Sequence, residues 1–166
     1  MTAVRVIGID PGSRVTGYGV IESVSGRQRA LTYGCIRTGD GPLPERLLAI
    51  QTALADVLRE FHPDEAAVEE VFVKRAASAV VLGQARGVAL CTAAAAGLPV
   101  SEYAASRIKL AVTGSGRAEK PQVQHMIKVL LRLDAAPPSD AADALAVAMC
   151  HAQMRSTLSL IAKAIA

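Results

Sequence analysis

Towards the N-terminus, apolar residues come in short runs separated by turn formers. Val4, Val6, Ile7 and Ile9 make a buried-strand run in which Arg5 is the only charge, and Pro11 and Gly12 end it in a turn. Thr16–Ile21 and Leu31–Thr38 read as second and third strands with Gly26 in their connection, which predicts an antiparallel meander. The period then changes. Leu47, Ile50, Leu54, Val57, Leu58 and Phe61 recur at helical spacing after Pro42 and Pro44, so Glu45–Phe61 is predicted as a helix that His62 and Pro63 end. Ala66–Val71 is again a short apolar run and bears Glu69 and Glu70; Phe72–Ser78 has no apolar period and reads as a loop.

Ala79–Ala96 is a helix that is apolar or small nearly all round, with Gly83 and Gly87 one turn apart. Such a helix is either covered by the rest of the domain or packs a small-residue face on a second copy of the chain. A short strand ending near Tyr103 follows, then a helix Ala105–Val112, a break at Gly114, Ser115 and Gly116, and a helix Ala118–Leu133. Pro137 and Pro138 stop the chain, and Ser139 is placed to N-cap a last helix from Asp140 to about Met154. A meander followed by alternating helices and strands predicts an α/β domain on a mixed sheet, spanning residues 1–155, with 156–166 a tail compatible with a helix.

Composition narrows this picture without changing it. A chain of 166 residues with 51% hydrophobic content suits one domain with a sizeable core. Three dispersed cysteines without CxxC spacing suggest neither a disulfide framework nor a zinc site, which fits a reducing cytoplasm. No signal-peptide pattern precedes the first strand, and the apolar stretch Val88–Val100 is too short to span a bilayer. Charge is unevenly spread: residues 1–73 carry 7 basic and 10 acidic side chains, residues 74–132 carry 9 and 2, and residues 133–166 carry 2 and 3. A basic block flanked by clustered carboxylates suggests a polyanion held against a metal site.

The carboxylates carry the chemistry. Asp10 sits where a buried strand meets a glycine turn, a costly place for a charge unless it is compensated, although an Asp there can also simply cap the turn. Asp140 and Asp143 are three apart and project from one side of a helix's first turn, where the helix dipole alone would also favour acids. Strand alternation sends Glu69 and Glu70 to opposite faces, so only one of them faces the site of Asp10, and spacing does not say which. Four converging carboxylates would drive one another's pKa values up until some were protonated. A hard divalent cation removes that conflict, and oxygen-only ligands suit Mg²⁺ or Mn²⁺. Two such ions about 4 Å apart would serve phosphodiester hydrolysis.

Taken in order, GIDPGSRVTGYGVI, GCIRTG, AVEEVF, LGQARGVA, AEKPQVQHM and SDAADALAVA resemble the RuvC family of crossover junction endodeoxyribonucleases, from about Ile7 to His151. The resemblance implies a ribonuclease H-like fold with a five-stranded mixed sheet and helices on both faces. It places Asp10, Glu69, Asp140 and Asp143 on the family's metal-binding catalytic acids, and so selects Glu69 over Glu70. It also implies a homodimer, with 79–96 as the interface helix, that nicks four-way Holliday junctions symmetrically to leave 5′-phosphate and 3′-hydroxyl ends, using two Mg²⁺ per active site with Mn²⁺ as a substitute. A branch-migration motor complex is the implied partner. Lys109 and Lys120 match basic residues near the scissile phosphate, Phe72 an aromatic that contacts bases, and Lys74, Arg75 and Arg117 DNA-binding positions. The loop VKRAAS after Phe72 departs from the family pattern, being one residue shorter and lacking an asparagine, which bears on cleavage-sequence preference. His62, His125 and His151 read as structural or phosphate-facing. Actin-like ATPases and sugar kinases share the DxG turn but need two such domains around a cleft.

Overall fold

The computed structural model describes residues 3–70 and 76–164. Its sheet has the strands β1 (Val4–Asp10), β2 (Val15–Val24), β3 (Arg27–Arg37), β4 (Glu65–Glu69) and β5 (Val100–Tyr103), in the order β3-β2-β1-β4-β5. The first three are antiparallel neighbours, and β4 and β5 run parallel to β1. Helices α1 (Leu43–Phe61) and α2 (Ala76–Ala95) cover one face; α3 (Ala105–Thr113), α4 (Lys120–Leu130) and α5 (Ser139–Ala164) cover the other. The five-stranded mixed sheet with helices on both faces is the architecture expected from the sequence.

Strand alternation sorts the core into these two layers. Ile7 and Ile9 of β1 pack with Ile50 and Leu54 of α1, while Val4 and Val6 pack with Leu145 and Val147 of α5. Asp10 has the parity of Val4 and Val6, so it faces the α5 layer. The same parity puts Glu65, Ala67 and Glu69 on that face, and Ala67 does pack in that layer.

Several boundaries differ from the sequence reading, each for a local reason. The β2–β3 hairpin is longer than its apolar runs because its outer rungs are polar and held by the ladder and by Arg29–Glu22. Its two turn residues, Ser25 (φ 52°) and Gly26 (φ 81°), are both left-handed, as a tight hairpin turn requires. Residues 76–78, read as loop, are the first turn of α2. Helix α4 starts later, at a reciprocal Glu119–Gln122 capping box, and stops before the left-handed Arg132. In α5 the first-turn bond runs from Ala142 N–H to the Pro138 carbonyl, so Ser139 lies inside the helix and does not cap it. The helix continues past Met154 to Ala164, since no glycine or proline interrupts it. Helix α2 is only partly covered: Ala85, Ala89 and Ala93 are fully buried, whereas Val80 is 63% exposed and nothing stands near Gly83 or Gly87. Among the described residues no helix is long and apolar enough to cross a membrane.

Candidate active site

Asp10 ends β1, where the chain leaves the sheet. The turn behind it is closed by Thr16, whose hydroxyl accepts from Gly12 N–H (3.2 Å) and donates to the Gly12 carbonyl (2.7 Å). Arg46 and Thr38 both donate to the Ser13 carbonyl and anchor the loop. Thr16 therefore does the work a capping aspartate would do, and the Asp10 carboxylate is left to face the cleft. Gly8 pairs with Ala67 and Ile9 with Val68, so one step further along the register Asp10 lies beside Glu69. Parity in a known register thus answers what spacing alone left open between Glu69 and Glu70.

The aspartates of α5 arrive by a different device. A Cβ built on Gly8 would lie 2.0 Å from the Ala144 carbonyl oxygen, and one on Gly17 would lie 2.0 Å from that of Asp140. The helix backbone therefore rests directly on β1 and β2, closer than any side chain would permit. Gly17 is also the register partner of Asp10. Its missing side chain is what brings the first turn of α5 over the end of β1.

The resulting cleft, of about 370 Å³, is lined by Asp10, Glu69, Glu70 and Asp143 with Lys109 from α3 and Lys120 from α4. Asp140 is not part of that lining, but its charge acts on Asp10. Burial first, and then the charges of Asp143, Glu69 and Asp140, push the Asp10 carboxyl up to about 7. Glu69 is raised too, by burial and by Asp143, with Lys120 and Lys109 opposing. Lys120 Nζ donates to Asp143 Oδ2 at 2.8 Å, and that bond holds the ammonium above its usual range. As oriented, no three acidic, His or Cys side chains among the described residues converge tightly enough to hold a cation together. The donor set nonetheless fits a hard divalent ion: all candidate ligands are oxygens, and a carboxylate raised to about 7 by burial and by the charges of its neighbours is a place where a cation would be favoured.

Arg117 does not reach this cleft; it lines a neighbouring groove of about 490 Å³ with Ser115 and His125. Phe72, Lys74 and Arg75 lie outside the described residues. Glu70, which strand alternation was expected to turn away from the site if Glu69 faced it, lies past the strand end and also borders the cleft. That follows from where β4 stops, which the apolar run Ala66–Val71 did not signal.

A mixed sheet in this order, with helices on both faces, is that of a ribonuclease H-like protein, and its acids gather at the ends of β1 and β4 and on a helix laid across them. The family model described as "Crossover junction endodeoxyribonuclease RuvC" matches residues 6–151. A protein of that name from Shewanella amazonensis is 54% identical over 154 residues, covering 92% of this chain and 89% of its own. The Thermus thermophilus RuvC structure superposes with a TM-score of 0.83 at 38% identity, covering 93% of this chain and 96% of that one. The same protein in complex with Holliday junction substrate gives a TM-score of 0.85 at 38% identity, covering 92% and 94%. The chain belongs to the RuvC family of crossover junction endodeoxyribonucleases.

Proposed function

We propose that this protein is a structure-selective endonuclease that resolves four-way Holliday junctions by paired, symmetric nicks in recombination and repair. The observation that carries this is the assembly of Asp10, Glu69 and Asp143, with Asp140 adjacent, at the C-terminal ends of β1 and β4 beside two lysines. In this reading Asp10, Glu69, Asp140 and Asp143 hold two Mg²⁺ ions, for which Mn²⁺ can substitute. The ions supply Lewis-acid stabilisation to a phosphodiester attacked by water. The water oxygen bonds to phosphorus and gives up a proton as the bond from phosphorus to the 3′-oxygen breaks, and the departing 3′-oxygen takes a proton, leaving a 5′-phosphate and a 3′-hydroxyl.

The chain's own groups position and balance charge. Lys120 moves from Asp143 to the phosphate under attack, and Lys109 supports it from α3, both offsetting charge that grows in the transition state. Arg117, and Lys74, Arg75 and Phe72 outside the described residues, contact the DNA. Two copies joined through the open small-residue face of α2 supply two sites related by a two-fold axis, matching the junction's symmetry. The nuclease domain, residues 1–155, works in the cytoplasm alongside a branch-migration motor.

Incubation with a synthetic four-way junction tests this. Binding is expected with either Ca²⁺ or Mg²⁺, and paired nicks with Mg²⁺ only; equal cutting of a linear duplex, or no cutting, would reject the reading. In single-turnover assays Lys120→Ala is expected to slow cutting by about 10- to 100-fold and weaken binding by less than about threefold. Equal losses in both would make Lys120 a plain phosphate contact. Protons compete with cations for an Asp10 carboxyl that titrates near 7. Mg²⁺ is therefore expected to raise the melting temperature more at about pH 8 than at about pH 6. A difference of the opposite sign would remove Asp10 from the ligand set.

A further inference from the structure

Behind the acidic cleft, between α5 and the start of β4, lies a polar cluster around the buried His151 that the chemistry above does not use. His151, only 6% exposed, has Nδ1 2.8 Å from the Tyr103 hydroxyl and Nε2 2.5 Å from Glu65 Oε2. Arg155 Nε donates to Glu65 Oε1 at 2.7 Å, and the Tyr103 and His151 rings meet edge to face at 5.7 Å. Burial alone would raise the Glu65 carboxyl, but the bonds from His151 and Arg155 hold it below the usual glutamate range. An ionised carboxylate only accepts, so Nε2 carries a proton towards Glu65. Nδ1 meets the Tyr103 hydroxyl. Each polar atom of the ring thus has one directed partner, on a different strand.

The spacing connects this cluster to the acids. Glu65 and Glu69 bound β4 on one face, about 13 Å apart at strand rise. Asp143 and His151 are eight residues apart on α5, about 12 Å at helix rise. Asp143 acts on Glu69 at one end, and His151 bonds Glu65 at the other. The two pairs are rungs of one ladder between α5 and β4. Tyr103 joins the rungs: its carbonyl accepts from Glu70 N–H beside Glu69 at 2.9 Å, while its hydroxyl meets His151. Over β1 and β2, by contrast, α5 rests backbone to backbone on Gly8 and Gly17, with apolar Leu145 and Val147 packed beside them and no polar contact of this kind. A slip of one residue would move Asp143 by about 1.5 Å and turn it by about 100°.

We infer that Tyr103, His151 and Glu65 form a positioning device that sets the axial register and rotation of α5, and through it the placement of Asp140 and Asp143 against Glu69. This rests on the acids being the ligands of the proposed reaction. The test compares the unaltered full-length protein with Tyr103→Phe and Glu65→Gln in three measurements. These are Mn²⁺ binding without DNA, by electron paramagnetic resonance; kcat and KM on a preformed junction; and thermal unfolding. Each variant is expected to bind Mn²⁺ about fivefold more weakly and to lose about tenfold in kcat with KM within about twofold, the pattern of a displaced ligand set. Tyr103→Phe removes a single oxygen, so it remains informative even if Glu65→Gln unfolds. A lower melting temperature with unchanged Mn²⁺ affinity and kcat would overturn the inference and leave the cluster as a stabilising contact. Failure of the unaltered protein to bind Mn²⁺ or cut would instead defeat the functional reading beneath it.

Discussion

Asp10→Asn is expected to bind a four-way junction within a fewfold of the parent affinity yet to cut it at least roughly 10³-fold more slowly, as expected when an interaction that matters mainly in the transition state is lost. The amide keeps the shape of the carboxyl but cannot carry the negative charge that a divalent ion needs. The same change is expected to make the metal-free protein more stable at neutral pH. The folded-state value of Asp10 is raised from 3.8 to about 7, so its contribution to stability is full below 3.8 and is lost as the pH rises through about 7. Between those values the folded protein holds a proton that the unfolded chain gives up. Asp10→Asn has no proton to lose, so its melting temperature is expected to vary less over that window than the parent's. An Asp10→Asn protein that still cuts at the parent rate would end the assignment of Asp10 as a metal ligand; one less stable than its parent at pH 7 without metal would mean that Asp10 is not under the strain described.

Gly17→Ala is expected to be nearly as damaging, though it removes no chemical group. The added methyl would stand 2.0 Å from the Asp140 carbonyl oxygen and 3.1 Å from Ala141 N. Both are backbone atoms in the first turn of α5, so neither can swing aside, and the helix start must lift. Overpacking of this kind costs about 1–3 kcal/mol. A displacement of about 1 Å in Asp140 and Asp143 would add a loss of about 10²-fold in cleavage. Gly83→Ala on α2 is the control, because nothing stands within 4 Å of a Cβ there. It is expected to leave the stability of one copy unchanged or slightly higher, through better helix propensity, and to act only on the association of two copies. Identical melting temperature and cleavage rate in Gly17→Ala and the parent would mean that α5 does not sit on β2 as described.

The catalytic effect of Gly17 could not be read from its neighbours in the chain. It is one of a run of residues in TGYGVI that suit a strand, and nothing local marks it as the floor under Asp140. Asp10 was legible because its cost is local: a carboxylate at the end of an apolar run, before a proline and glycine, calls for compensation wherever the rest of the chain goes. Asp140 and Asp143 were legible as a pair on one helix face for the same reason. Glu69 and Glu70 were not separable by spacing, since strand parity says they oppose each other but not which face is which; the family resemblance chose Glu69, and the pairing of Ile9 with Val68 supplies the physical reason. Helix α2 shows the converse case. Its composition left self-association open beside burial, the default, and only its packing revealed that one side is covered while Val80, Gly83 and Gly87 are not.

Periodicity, turn residues and the placing of charges at element ends determined the order of strands and helices, the mixed sheet and the residues able to do chemistry, because these are short-range consequences of backbone geometry and burial. Tertiary structure alone decided that the first turn of α5 lands on the end of β1, that Lys120 reaches Asp143, and that His151 joins Glu65 and Tyr103 behind the site. Those are contacts between residues far apart in the chain, and they depend on how closely two backbones can approach, which the pattern of one element does not encode.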